Sequence, residues 1–132
     1  MAWQTRRIAA EHDVRAPDGS EIRLLVRVDA GSMVHCSLQP GDVTRAVRHR
    51  TVEEMWFCVS GAGQVWRKAQ GEAQLDEIVD VEPGVALSIP VGVAFQFRAR
   101  GARPLEVVIA TLPAWPGEDE AVPVDGAWQA TR

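Results

Sequence analysis

Two ionisable side chains, His49 and Glu54, stand close together in the segment RHRTVEEMWFCVSGAGQVW at positions 48–66. A histidine and a carboxylate in one pocket can exchange protons with a bound molecule, and both are also ligands for transition metals. The same segment has a hydrophobic run followed by glycines at positions 61 and 63, which is typical of two strands joined by a hairpin turn. The segment therefore indicates acid–base chemistry, a metal site or a plain hairpin.

The composition is typical of one globular domain. The chain has 132 residues, of which 46% are hydrophobic and 24% charged, and its net charge is -4. Its basic residues are scattered, which argues against a nucleic-acid surface. No apolar run approaches the roughly 20 residues of a membrane span, and the N-terminus lacks the apolar segment of a signal peptide. We expect a cytoplasmic protein without nucleic-acid or membrane partners, with Cys36 and Cys58 as free thiols.

Short strand-like segments alternate with glycine and proline turns along most of the chain. Alternation in the first of them, EIRLLVRV at 21–28, places four apolar residues on one face: Ile22, Leu24, Val26 and Val28. Further segments of this kind lie at 33–38, 54–60, 85–89, 95–100 and 105–111. No segment sustains the apolar periodicity of a helix over three turns. The pattern predicts an all-β sandwich or barrel.

We expect the barrel to occupy residues 20–112, between a leader at 1–19 and an extended tail at 113–132. The tail carries two large apolar side chains, Trp115 and Trp128. A disordered tail would seldom contain such groups, so we expect the tail to pack over the barrel.

The order and spacing of turns and strands resemble the two sequence motifs of the cupin superfamily. The first motif is matched at its glycines, its second histidine and its glutamate: Gly41, His49, Glu54 and Gly61. The second motif is matched at its glycines and its proline: Gly84, Pro90 and Gly92. The resemblance implies one double-stranded β-helix (jelly-roll) barrel. It also implies a homodimer in which the leader adds a strand to the partner barrel.

The resemblance also implies a ligand set for a metal, and this chain departs from it. The family's usual ligands, three histidines and a glutamate, fall on Val47, His49, Glu54 and Phe95. Valine and phenylalanine have no lone pairs to offer, and two protein ligands seldom hold a transition metal. His35 is a candidate third ligand, although it could equally be a strand histidine satisfied by a hydrogen bond. The cofactor therefore stays open: none, or a divalent metal held by His35, His49 and Glu54.

Alternation predicts which side chains share a cavity inside such a barrel. The predicted lining is mainly apolar and aromatic: Val47, His49, Glu54, Trp56, Phe95 and Phe97, with Arg45 at the rim. A mostly apolar pocket with a few polar groups is the usual composition of a small-molecule site. In the alternative interpretation, Trp56 and Phe95 fill the barrel, and His49 and Glu54 form a structural hydrogen-bonded pair.

Three functions follow from this pocket, and the sequence leaves open whether the protein is an enzyme. The first is isomerase, epimerase or cyclase chemistry on a small organic ligand, with His49 and Glu54 as an acid–base pair and a weak metal or none. The second is a metal-dependent oxidoreductase or isomerase with non-standard ligands. The third is a small-molecule binding module without turnover. Arg45 favours a ligand with an acid group, and the apolar lining favours hydrophobic or aromatic ligands over free sugars.

Overall fold

The computed structural model describes residues 2–71 and 75–132, which form eleven strands and one short 3₁₀ helix, η1. The strands are β1 (Val14–Arg15), β2 (Glu21–Val28), β3 (Gly31–Leu38), β4 (Val47–His49), β5 (Glu53–Ser60), β6 (Ala62–Lys68), β7 (Asp76–Val81), β8 (Ala86–Ile89), β9 (Ala94–Arg100), β10 (Leu105–Leu112) and β11 (Ala121–Pro123). The helix η1 spans Glu118–Glu120. Within the described ranges, no helix is long and apolar enough to cross a bilayer.

Two antiparallel sheets form the fold. The six-stranded sheet has the order β1-β2-β3-β10-β5-β8, and the five-stranded sheet has the order β11-β4-β9-β6-β7. Alternation along β5 is regular: Glu54, Trp56 and Cys58 are buried, while Met55 and Phe57 are exposed. The inward faces of both sheets share one hydrophobic core. The all-β jelly-roll barrel predicted from the sequence is confirmed.

The chain passes from one sheet to the other at Gly61. A hairpin was predicted here, and that prediction is wrong, because β5 pairs with β8 and β10 while β6 pairs with β7 and β9. Gly61 has a φ of 76°, and a Cβ atom at this position would lie 2.1 Å from the carbonyl oxygen of Pro104. A glycine is therefore needed both for the backbone conformation and for this close approach.

Strand β2 contains a β-bulge that changes which side chains face inward. Leu24 lies opposite Val34 of β3, but Arg27 lies opposite Ser32, so β2 has one extra residue between these pairs. Directly opposed side chains share a face of the sheet, and the bulge therefore turns Arg27 to the inward side. The expectation that residue 28 shares the inward face with Leu24 is wrong, and that residue, a valine, is 62% exposed.

The C-terminal tail lies against the five-stranded sheet. The side chain of Gln96 on β9 donates to the carbonyl oxygen of Trp128 at 2.8 Å and accepts from the backbone N–H groups of Ala127 and Trp128 at 2.9 Å. The Arg98 guanidinium lies 4.3 Å from the centroid of the Trp128 ring, a cation–π geometry. These contacts fix the tail across the barrel.

Candidate functional site

A cavity of about 760 Å³ lies inside the barrel, a volume within the usual range for small-molecule sites. Each predicted pocket residue lines it: Arg45, Val47, His49, Glu54, Trp56, Phe95 and Phe97. The aromatic rings meet edge to face, with centroid distances of 5.7 Å for Trp56–Phe95 and 5.0 Å for Trp56–Phe97. Such contacts hold the rings in fixed orientations along one wall.

Glu54 is held at both carboxylate oxygens. Trp56 Nε1 donates to Oε1 at 3.1 Å, and Thr111 Oγ1 donates to Oε2 at 3.0 Å. Thr111 lies directly opposite Glu54 on the neighbouring strand β10, so strand register brings the two together. Burial raises the pKa of Glu54 to about 7, although the bonds from Trp56 and Thr111 lower it. The nearby charge of Asp18 also raises this pKa. Near neutral pH, Glu54 is therefore protonated in a large fraction of molecules.

His49 ends strand β4 and is enclosed by two aromatic rings. Its ring centroid lies 5.2 Å from that of Phe95 and 5.1 Å from that of Trp115 in the tail. Burial lowers the pKa of His49 to about 4, against the opposing influence of the Glu120 charge. Its Nδ1 is buried and, among the described residues, has no hydrogen-bond partner. At neutral pH this is an uncharged imidazole with an unused polar atom beside a cavity.

His49 and Glu54 thus share the cavity without bonding to each other in the described part of the chain. The hydrogen-bonded pair of the filled-barrel interpretation does not fit this arrangement. Burial shifts the two pKa values in opposite directions, down for His49 and up for Glu54. Two titratable groups whose environments separate their pKa values are suited to act as base and acid in one reaction. Here the imidazole can accept a proton and the carboxyl group can donate one.

Glu120 was not found by sequence reasoning. It is buried and accepts hydrogen bonds from Thr51 N at 2.6 Å, Thr51 Oγ1 at 2.5 Å and Val52 N at 3.1 Å. Burial alone would raise the pKa of Glu120, but these bonds outweigh it and the pKa is lowered. Glu120 therefore carries the negative charge that raises the pKa of His49 against the influence of burial. Its hydrogen bonds to Thr51 and Val52 also fix the loop between β4 and β5. Seventy-one positions separate it from His49, and no motif joins them.

Arg45 lines the cavity, but its side chain is already engaged. Nε donates to the carbonyl oxygen of Arg132 at 2.8 Å, and Nη1 donates to that of Pro17 at 3.2 Å. A further acid that the sequence did not indicate, Asp18, also lines the cavity and accepts from Ser20 N at 2.9 Å and Ser20 Oγ at 2.7 Å. Burial raises the pKa of Asp18 against these bonds.

The residues present do not fit a metal centre of the cupin type. His35 lies on the outward face of β3, opposite Val108, and its Nε2 is 3.0 Å from Glu106 Oε1. Because alternation turns it away from the cavity, the expectation that His35 joins His49 and Glu54 at one ion does not fit this geometry. Within residues 2–71 and 75–132, no three His, Cys, Asp or Glu side chains are grouped to hold a metal.

Several solved structures share this fold. Pac13, a nucleoside dehydratase from Streptomyces, matches with a TM-score of 0.66 and 15% identity, covering 94% of this chain and 90% of Pac13. Oxalate decarboxylase from Bacillus subtilis matches with a TM-score of 0.74 and 16% identity over 94% of this chain. The capsular polysaccharide assembling protein CapF from Staphylococcus aureus matches with a TM-score of 0.69 and 16% identity over 92% of it. This chain spans 33% of each of the latter two.

At these identities the structural matches show the fold alone. No curated protein matches the sequence. The family model described as the cupin domain matches residues 34–111, which include both motifs at their positions around His49 and Phe95. That match covers more than half of the sequence, and the chain belongs to the cupin family.

Proposed function

We propose that this cupin is an acid–base enzyme that moves protons on a small organic ligand in the barrel cavity, in an isomerase, epimerase, cyclase or dehydratase reaction. One observation carries the proposal: His49 and Glu54 line the same cavity with pKa values of about 4 and about 7. The catalytic chemistry rests on these two groups, because Val47 and Phe95 offer no metal ligand at the family's other positions.

In the proposed reaction the neutral imidazole of His49 accepts a proton from a C–H or O–H group of the ligand. The protonated carboxyl group of Glu54 donates a proton to an oxygen or carbon atom elsewhere on the same ligand. The step is redox-neutral, and it leaves an imidazolium and a carboxylate in the cavity. Proton exchange with product or water restores both groups. Placing such groups against a substrate typically accelerates proton transfer by about 10²–10⁴-fold.

Pac13 supports a reaction of this class. It is described as a nucleoside dehydratase, and it is matched over 90% of its length by this chain. A protein of one such barrel is therefore large enough for an elimination reaction. The likeness between Pac13 and this chain is one of fold.

The test is enzyme-dependent hydrogen–deuterium exchange. Aromatic ketones and acids with acidic α-protons would be incubated with the protein in D₂O and followed by NMR spectroscopy. We expect exchange with the wild-type protein and a loss of at least about 100-fold in both His49→Asn and Glu54→Gln. His12→Gln is the matched control, because His12 lies on the leader outside the cavity. Full exchange by a folded His49→Asn variant would contradict the proposal, and tight binding without any exchange would favour a binding module.

We also propose that the chain forms a homodimer through the outer face of the six-stranded sheet. Three of its side chains are large, apolar and 41–56% exposed: Met33, Met55 and Phe57. Their cross-strand neighbours on this face are also small or apolar, namely Ala86, Ser88, Val108 and Ala110. A two-fold axis through such a face would cover it with a second copy of itself.

The proposed compartment is the cytoplasm. Cys36 and Cys58 are both buried free thiols, which fits a reducing compartment. Burial raises the pKa of both thiols, so neither is a reactive thiolate. Subcellular fractionation would test the assignment.

A further inference from the structure

The bulge in β2 places a positive charge on the cavity side of the six-stranded sheet. Arg27 lies opposite Ser32, Ser32 lies opposite Thr111, and Thr111 lies opposite Glu54. These four side chains form one row across β2, β3, β10 and β5, all on the inward face. Arg27 lines the cavity and is also solvent-exposed, so it stands at the mouth, at the opposite end of the row from Glu54.

The guanidinium of Arg27 has no hydrogen bond or ion pair with any described residue, although its backbone N–H donates to Gln4 Oε1 at 2.9 Å. The other arginines that line the cavity are engaged. Arg6 Nη2 lies 3.8 Å from Asp13 Oδ1, and Arg15 Nη1 donates to the carbonyl oxygen of Gly19 at 3.0 Å. The planar guanidinium of Arg27, which has no partner among the described residues, can therefore donate two parallel hydrogen bonds to an anionic group.

Among the residues that the structure describes, more positive than negative side chains line the cavity, although the chain as a whole has a net charge of -4. The cationic members of its lining are Arg6, Arg15, Arg27 and Arg45, and the acidic members are Asp18 and Glu54. Both acids are buried. A concave site with a surplus of one sign of charge concentrates ligands of the opposite sign.

We infer that the cavity binds an elongated aromatic or apolar ligand with an anionic end group, a carboxylate or a phosphate, held by Arg27 while the reacting end lies at His49 and Glu54. This inference rests on the proposed function and specifies its substrate class. Three strand spacings separate Arg27 from Glu54, about 14 Å between backbones. The Arg27 side chain covers part of this span, so the ligand is roughly 10 Å long, the length of two fused rings with a substituent.

The test is calorimetric titration of the full chain with three probes of one shape: 2-naphthoate, 2-naphthyl phosphate and the neutral 2-naphthamide. We expect the wild-type protein to bind at least one anion about 10-fold or more tightly than the amide, and the stronger anion identifies the end group. Arg27→Gln is expected to remove this preference. Raising the salt concentration should weaken binding of the anions but not of the amide.

The control variant is Arg103→Gln, which removes an equal charge from an exposed loop outside the cavity. It is expected to keep the preference for anions. Equal binding of all three probes, or an unchanged preference in Arg27→Gln, would overturn this inference and leave the acid–base proposal standing. Failure of every probe to bind would also overturn this inference, whereas the acid–base proposal is decided by the deuterium-exchange experiment. Conversely, a loss of deuterium exchange in His49→Asn with an intact anion preference would support both.

Discussion

Trp56 Nε1 lies 3.1 Å from Glu54 Oε1, so the carboxylate receives a hydrogen bond from a residue two positions along its own strand. The period of a strand places both side chains on the inward face, and the bond needs no distant element to form. It orients the carboxyl group, while burial remains the main influence on the pKa of that group. With Thr111 bound to the second oxygen, Glu54 is a fixed group whose protonation responds to pH near 7.

The pH dependence of turnover follows from the two shifted groups. If His49 must be neutral and Glu54 protonated, kcat/KM rises as pH increases through about 4 and falls as pH increases through about 7. The bell should be centred near pH 5 to 6. Steady-state rates between pH 3.5 and 9 would measure it. A rate that continues to rise above pH 8 would contradict a donor role for Glu54.

Removing the indole N–H should move the alkaline limb of this profile. The hydrogen bond from Trp56 lowers the pKa of Glu54, so Trp56→Phe raises that pKa and shifts the limb to higher pH. The lost bond and the space left by the smaller ring should also cost about 1–3 kcal/mol of unfolding free energy.

A matched control for this change exists at Trp66, whose Nε1 donates to Asp76 Oδ2 at 3.0 Å outside the cavity. Trp66→Phe should lower stability by a similar amount and leave the pH profile unchanged. Thr111→Val removes the second donor to Glu54 and should shift the limb in the same direction as Trp56→Phe. An unshifted limb in both cavity variants would show that Glu54 does not set it.

Stability should depend on pH through Glu54, with a definite sign. The pKa of this group rises from an ordinary 4.5 to about 7 on folding, so the folded state binds the proton more tightly. Its contribution is full below pH 4.5 and is lost as pH rises through 7, a change of about 3 kcal/mol in unfolding free energy. Urea unfolding at pH 5 and pH 8 should show this loss in His49→Asn, which lacks the opposing titration of His49, and not in Glu54→Gln.

His49 gives the opposite slope and serves as the internal check. Its pKa falls from 6.5 to about 4 on folding, so its contribution is full above pH 6.5 and is lost as pH falls towards 4. Between pH 5 and pH 8 the two contributions oppose each other and largely cancel in the wild-type protein. The loss should therefore appear in His49→Asn, while Glu54→Gln should gain about 2 kcal/mol over the same interval. The same slope in Glu54→Gln as in the wild-type protein would place the titrating group elsewhere.

The proposed dimer can be tested with one charge. Met55→Glu places a carboxylate in the exposed apolar face of the six-stranded sheet, where Met55 is 56% exposed. Burying it in a dimer would be unfavourable, so we expect a monomer by light scattering coupled to size-exclusion chromatography. The control is Ile78→Glu, at a residue 50% exposed on the other sheet, which should remain dimeric. A wild-type monomer at all concentrations would contradict the proposal.

Strand positions were predictable where one face of the strand is buried. Segments such as EMWFCVS and FQFRAR alternate because β5 and β9 each turn one face to the core. Strand β7, at Asp76–Val81, escaped sequence reasoning because four of its six residues are exposed, and alternation is lost. The bulge in β2 could not be predicted from the sequence either, because Leu24 and Leu25 are both apolar and either could face inward.

The site was predictable where its residues fall on motif positions or share a strand face with them. His49, Glu54 and Phe95 were identified because the motifs fix their strands and the alternation fixes their faces. Thr111, Trp115 and Glu120 come from β10 and the tail, more than fifty positions away from Glu54. Their contacts depend on strand pairing and on the path of the tail, which local sequence patterns do not specify.

The pairing of β2 with β3 decides the sign of charge at the entrance of the barrel. The bulge sets Arg27 opposite Ser32, whereas an unbulged pairing continued from Leu24 and Val34 would set Val26 there. The change would leave the core strands and His49 untouched. The class of ligand held at the entrance therefore depends on the register of one outer strand, without a substitution at the acid–base pair. Register in β2 is then a route by which selectivity and chemistry evolve independently.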